Sequence, residues 1–185
     1  MYFNSIPEIT REVERVIDKA KTDFSHLNYE QLNWKPNANS WSVGQCLDHL
    51  AQSAKAYEPL FDGLIYQNTA PNFWRKIPVL PKIFGKFLLK AVSPIRDKKN
   101  KTFPVFEPAQ SNISLDVIYK LEKQLRFFST QANKLKSHDL NTIVTSPVSN
   151  FINYSLLDAL NIVTIHNYRH FNQAKEVIEN NGFPK

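Results

Sequence analysis

"YSLLDALNIVTIHNYRHFNQAKEVIEN", residues 154–180, is the stretch whose reading decides the fold. Successive residues of an α-helix turn by about 100°, so positions i and i+4 lie about 40° apart around the axis. On that wheel Ala159, Ile162, Val163 and Val177 share one arc, with Thr164, Tyr168, Asn172 and Lys175 opposite. Asn181 and Gly182 stop the helix and Pro184 follows, as expected at a helix C-terminus. The apolar arc also carries His166 and His170, with Gln173 one turn further on. An amphipathic helix buries such a stripe against other helices, and this one turns two imidazoles inward with it.

Working outward, three more stretches repeat the helical period. Ile6, Ile9, Val13, Val16, Ile17 and Ala20 predict a first helix over Ile6–Phe24, with Ser5 as N-cap, Pro7 in its first turn and Glu8 three residues after the cap. Val43, Leu47, Leu50, Ala54, Tyr57, Phe61 and Leu64 predict a second over Trp41–Tyr66, capped by Asn39 or Ser40. Leu115, Ile118, Leu121, Leu125, Phe128 and Ala132 predict a third over Ser114–Lys136. Residues 137–153 read as a loop, in which "NTIVT" could be a short strand. Four amphipathic helices with little strand signal predict an all-α, antiparallel four-helix bundle, a single domain over residues 1–185.

The 44 residues 67–110 between the second and third helices hold Pro71, Pro78, Pro81, Pro94, Pro104 and Pro108. Proline at that density forbids a long regular helix. A long crossover or capping insertion is expected, with one shorter helix between Pro81 and Pro94. Its apolar face would be Leu80, Ile83, Phe84, Phe87, Leu88 and Ala91, and Lys82, Lys86 and Lys90 make another. Residues 74–101 carry a local charge of +8 against +6 for the whole chain, so the remainder sums to −2. The basicity belongs to one segment, which argues against nucleic acid as a partner. Cys46, the single cysteine, allows no intramolecular disulfide. With neither a secretory leader pattern nor an apolar run of about 18 residues, the cytoplasm is the expected compartment.

Buried imidazoles need partners for both nitrogens, and two side by side repel once protonated. A divalent cation removes both difficulties, since it takes a lone pair from each ring. Taken alone the H-x-x-x-H spacing is weak, and a surface pair or a satisfied core histidine is the favoured reading of it. His49, in the second helix, changes that weighing. Its line around the axis is Ser42, Gln45, Ser53 and Ala56, small or polar residues that suit a cleft. Helices pack about 8–10 Å apart, close enough for side chains from both to meet at one ion. Three imidazoles from two helices leave a ligand position open, as catalytic sites do. Gln45, Gln52, Asp158 and Gln173 are candidates to orient such ligands, although an ordinary polar helix face is the favoured reading of each. His26 and His138 read as solvated, and Cys46 as a small core residue.

Three pieces of the sequence together resemble the DinB-like superfamily. They are "LNYEQLNWKPNANSWSVGQCLDHLAQ" (27–52), which carries His49, the His166–His170–Gln173 run, and the order of four long helices with a long link after the second. The resemblance covers most of the chain except residues 67–110. It implies a divalent metal on His49, His166 and His170, with zinc or nickel most often associated, and a homodimer in many members. Imidazole suits iron and manganese as well, so ligand type alone does not choose. Relatives include thiol-dependent transferases, using bacillithiol, mycothiol or glutathione, and isomerases.

The favoured expectation is a metal-dependent thiol S-transferase acting on a small molecule, with no catalytic residue assigned and with Arg75 or Lys76 meeting carboxylates of the thiol. A metal-dependent hydrolase is its sibling. The other class is a non-catalytic metal-binding or interaction protein, whose helix between Pro81 and Pro94 docks on an anionic membrane or a partner. The ordinary reading of that helix, which is favoured, packs its apolar face on the bundle and leaves its lysines solvated.

Overall fold

The computed structural model describes residues 1–67, 80–94 and 112–185. Most of these are helical, with one small antiparallel hairpin. In chain order the elements are α1 (Ile6–Phe24), α2 (Tyr29–Asn33), α3 (Val43–Lys55), α4 (Glu58–Ile65), α5 (Leu80–Val92), α6 (Val117–Lys134), β1 (Ile143–Ser146), β2 (Ser149–Ser155) and α7 (Leu156–Ile178). Helices α1 and α3 each pack against both α6 and α7. Their apolar stripes meet in one core, in which Ile9, Val13, Leu47, Leu125, Ala159 and Leu160 are fully buried. No helix among the described residues is long and apolar enough to cross a membrane.

Local chemistry sets the helix starts. Ser5 Oγ accepts from Glu8 N, and the Glu8 carboxylate accepts from Asn4 N, so α1 begins where the capping pattern put it. At α3 the cap is Ser42 rather than Asn39 or Ser40. Ser42 Oγ accepts from Gln45 N at 3.1 Å, and Gln45 Oε1 accepts from Ser42 N at 3.2 Å. This reciprocal box holds Ser42 in extended backbone and leaves Trp41 outside the helix. The predicted second helix is in fact two, α3 and α4, parted at Ala56–Tyr57. Pro59 supplies the reason: it lacks an amide hydrogen, and its ring is tolerated only in a first turn, where α4 places it.

The connections hold more structure than the sequence reading gave, although the short strand expected at "NTIVT" is present as β1. Residues 29–33 form a one-turn helix with its own Asn28–Gln31 capping box. Residues 143–155 form a hairpin, in register Val144↔Tyr154 and Thr145↔Asn153, with an irregularity after Thr145. Its second strand, "SNFINYS", escaped notice because four polar residues interrupt any apolar alternation. Tyr154, buried in that strand, meets the Tyr57 hydroxyl at 3.0 Å and ties the hairpin to the junction of α3 and α4.

Helix α5 packs on β2 and α7 with its lysines exposed and Leu88 inward, as expected, but it is rotated from the rest of the expected face. Its buried positions are Pro81 and Gly85, with Leu88, Leu89 and Val92 against the core, whereas Ile83 and Phe87 are 54% and 63% exposed. The contact is built on the smallest side chain. A Cβ on Gly85 would collide with the Asp158 carboxylate at the start of α7. Hydrophobic periodicity cannot register a face whose key residue has no side chain. The rest of the expected insertion, Arg75 and Lys76 included, lies outside the described residues.

Candidate metal centre

Helix α3 contributes His49 and α7 contributes His166 and His170. The α3–α7 contact brings all three rings together, as the sequence reading expected. One ligating nitrogen from each ring lies within 4.8 Å of the other two. His49 Nε2 and His166 Nε2 are 3.2 Å apart. For comparison, two imidazoles at tetrahedral positions on an ion at about 2.0–2.1 Å place their nitrogens about 3.3 Å apart. The ring centroids stand 4.9 Å (His49–His166), 4.4 Å (His49–His170) and 4.5 Å (His166–His170) apart, each pair edge to face. His49 and His170 are buried, and His166 is half-buried, the least enclosed ring of the three.

The surroundings keep the rings neutral and oriented. Gln173 Oε1 accepts from His170 Nδ1 at 2.9 Å. That bond fixes the tautomer and leaves the lone pair on Nε2, the state a metal ligand needs. Burial, with the neighbouring His49, pushes His170 down to about 3. Burial likewise holds His166 well below the usual imidazole range, helped by His170, His49 and Arg169. Trp41 covers the cluster. Its ring lies 4.9 Å from His49 and stacks on His170 at 5.3 Å with 24° between planes. Because Ser42 starts the helix two residues later than expected, the indole is free to lie across the imidazoles instead of being wound into α3. Sequence reasoning gave Trp41 no part in the site; the Trp-Ser pair ahead of the His49 helix was the available signal.

The other candidates separate cleanly. Of the four proposed orienting residues, Gln173 bonds to a ring of the triad. Gln45 closes the α3 capping box, and Gln52 donates to Asp48. Asp158 accepts from the Tyr2 hydroxyl at the far end of α7. Cys46 is fully buried in the core, and burial pushes its thiol up. His26 is exposed as expected. His138 corrects its reading as solvated: it is half-buried, with Nδ1 enclosed and unpartnered among the described residues.

A family model described as the DinB superfamily matches residues 12–174, which takes in every element that builds this centre. The chain belongs to the DinB superfamily. Among curated proteins, this DinB-superfamily chain is 28% identical over 158 residues to "Uncharacterized protein YuaE" of Bacillus subtilis (strain 168), an alignment covering 85% of this chain and 89% of the relative. That name assigns no activity. No solved structure matches the chain at a significant level.

The depressed imidazoles make the metal-free protein acid-sensitive. His170 titrates at about 3 when folded, against 6.5 in the unfolded chain. Above pH ~6.5 both states are neutral there, so the ring adds no pH dependence. Below it the unfolded chain takes up a proton that the folded one refuses. Stability therefore falls as pH drops from about 6.5 toward about 3, by on the order of 2–3 kcal/mol at pH ~4.5. Urea melts of chelated protein at pH 7 and 4.5 check this, with a shallower loss expected for His170→Asn. Equal slopes in the two proteins would refute it.

Proposed function

We propose that His49, His166 and His170 hold a divalent metal ion, zinc or nickel, and that the protein is a metal-dependent thiol S-transferase acting on a small molecule. In this reading α1, α3, α6 and α7 form an antiparallel four-helix bundle, one domain with an insertion over residues 67–110. Assembly as a cytoplasmic homodimer comes with it. The observation that carries the reading is the convergence of three imidazole nitrogens within 4.8 Å, beneath Trp41, with His166 the least enclosed of the three rings. Hydrolysis is the sibling that its test must separate.

The donor set fits such an ion. Three neutral nitrogen donors suit zinc or nickel, and a set of three leaves a position for a further ligand. When bound, the ion supplies a Lewis-acid position that favours the thiolate form of a thiol ligand. The chain's own residues do the remainder. His49 and His170 fix two donors in the buried wall, and Gln173 holds the His170 proton on Nδ1. Trp41 excludes water from one side and leaves the His166 side for the thiol and an electrophile. The sulfur–carbon bond forms as the bond to the leaving group breaks, and the thiol proton passes to solvent.

Titrating tag-free, metal-loaded protein with a panel of low-molecular-weight thiols and an electrophile tests this. Turnover should require metal and thiol together. Turnover without thiol would replace the transferase with the hydrolase, and protein that binds no divalent ion would end both.

A further inference from the structure

The exposed face of α5 has a composition that neither the metal centre nor the core explains. Lys82, Ile83, Lys86, Phe87 and Lys90 are all exposed, and they fall within one arc of about 140° around the helix. The buried face is complete without them: Pro81, Gly85, Leu88, Leu89 and Val92 make the contacts inward. Ile83 and Phe87, 54% and 63% exposed, therefore form an apolar row beside the row of Lys82, Lys86 and Lys90. Phe151, 60% exposed, stands on β2, the strand that α5 packs against.

We propose that this face of α5 docks on an anionic lipid surface. Charge complementarity selects the occupant. A second copy of the same face would set three lysines against three, a like-charge arrangement that opposes self-association. A soluble polyanion would engage the lysines but has no use for Ile83 and Phe87. A bilayer of anionic lipid satisfies both sets at once, with ammonium groups at the headgroups and apolar side chains in the acyl boundary. The bias runs along the sequence too, since residues 74–101 carry +8 in a chain whose remainder is −2. Helix α5 spans 13 residues, too short to cross a bilayer, so contact is with the surface only. The same helix is fastened beside the metal centre, because Arg169, next to His170, donates to the Ala91 and Ser93 carbonyls at its C-terminal end.

Co-sedimentation of the full-length protein with phosphatidylcholine vesicles, with and without one-quarter phosphatidylglycerol, at low and physiological salt, tests this. The protein should pellet with the anionic vesicles and stay in the supernatant with the neutral ones. The triple variant Lys82→Gln, Lys86→Gln, Lys90→Gln should lose roughly a hundredfold in partitioning. The double variant Ile83→Ser, Phe87→Ser should lose at least tenfold, with an unchanged far-ultraviolet spectrum and melting point. No binding to anionic vesicles at low salt overturns the proposal. So does full binding by the Ser variant, or capture of heparin by both proteins without vesicle binding, since these identify a plain polyanion surface.

Discussion

His170→Ala should abolish stoichiometric metal binding while leaving the helical fold in place. His170 is 7% exposed, fastened by Gln173, stacked under Trp41, and within 4.4–4.5 Å of both partner rings, centroid to centroid. Apparent binding energies for structural zinc of about 10–16 kcal/mol, spread over four ligands, imply roughly 2.5–4 kcal/mol each. One lost ligand then weakens affinity by roughly 10²- to 10³-fold. Elemental analysis of tag-free protein should show near-stoichiometric metal in the parent and less than about a tenth of that in the variant. Gln173→Leu should fall between, with a loss of about 10–100-fold, because it frees the ring without removing it. His26→Ala, altered at an exposed position, should match the parent. Metal at about a hundred times its Kd should stabilise the parent by about 2.7 kcal/mol, or roughly 5–11 °C in a chain of this size. His170→Ala should show no metal-dependent shift. A variant that keeps its metal through dialysis would remove His170 from the centre.

How far the sequence could be read depended on whether the deciding interaction repeats along the chain. The stripes of α1, α6 and α7 recur every three or four residues, so each helix announces itself many times over, and its bounds were legible to within a few residues. The triad was legible because the same periodicity that gives a helix its core face also puts His166, His170 and Gln173 on one line. Single interactions stayed hidden. Trp41 could not be placed over the rings until Ser42, rather than Asn39 or Ser40, was seen to start α3. Gly85 docks α5 through an absence of side chain, and that turned Ile83 and Phe87 outward. The β1–β2 hairpin depends on pairing across a turn, with Tyr154 reaching Tyr57 some 97 residues away in sequence, a contact that no local pattern encodes.

Phe128→Ala should do the opposite of His170→Ala: cost much stability and no metal. Phe128 is 1% exposed on α6, and its ring meets that of Phe61 on α4 edge to face at 5.5 Å. Truncation removes the buried ring and that aromatic contact, and leaves a cavity that the surrounding helices close only in part. The expected loss is about 3–5 kcal/mol, which lowers the melting point by roughly 6–20 °C. The triad should be spared, because His49 and His170 are held by contacts of α3 with α7 and by Trp41 and Gln173, none of which involves Phe128. Below its lowered melting point the variant should therefore bind metal with unchanged stoichiometry and near-parental affinity, and metal should raise its melting point as it does in the parent. The pair of variants separates two readings of the inward-facing histidines. If the rings were merely core residues, His170→Ala would behave like a smaller Phe128→Ala, losing stability with or without added metal. If they are ligands, the two losses fall on different measurements. Loss of metal in Phe128→Ala at temperatures where it is folded would show instead that the centre depends on the whole core, and that its geometry is not set by α3, α7 and Trp41 alone.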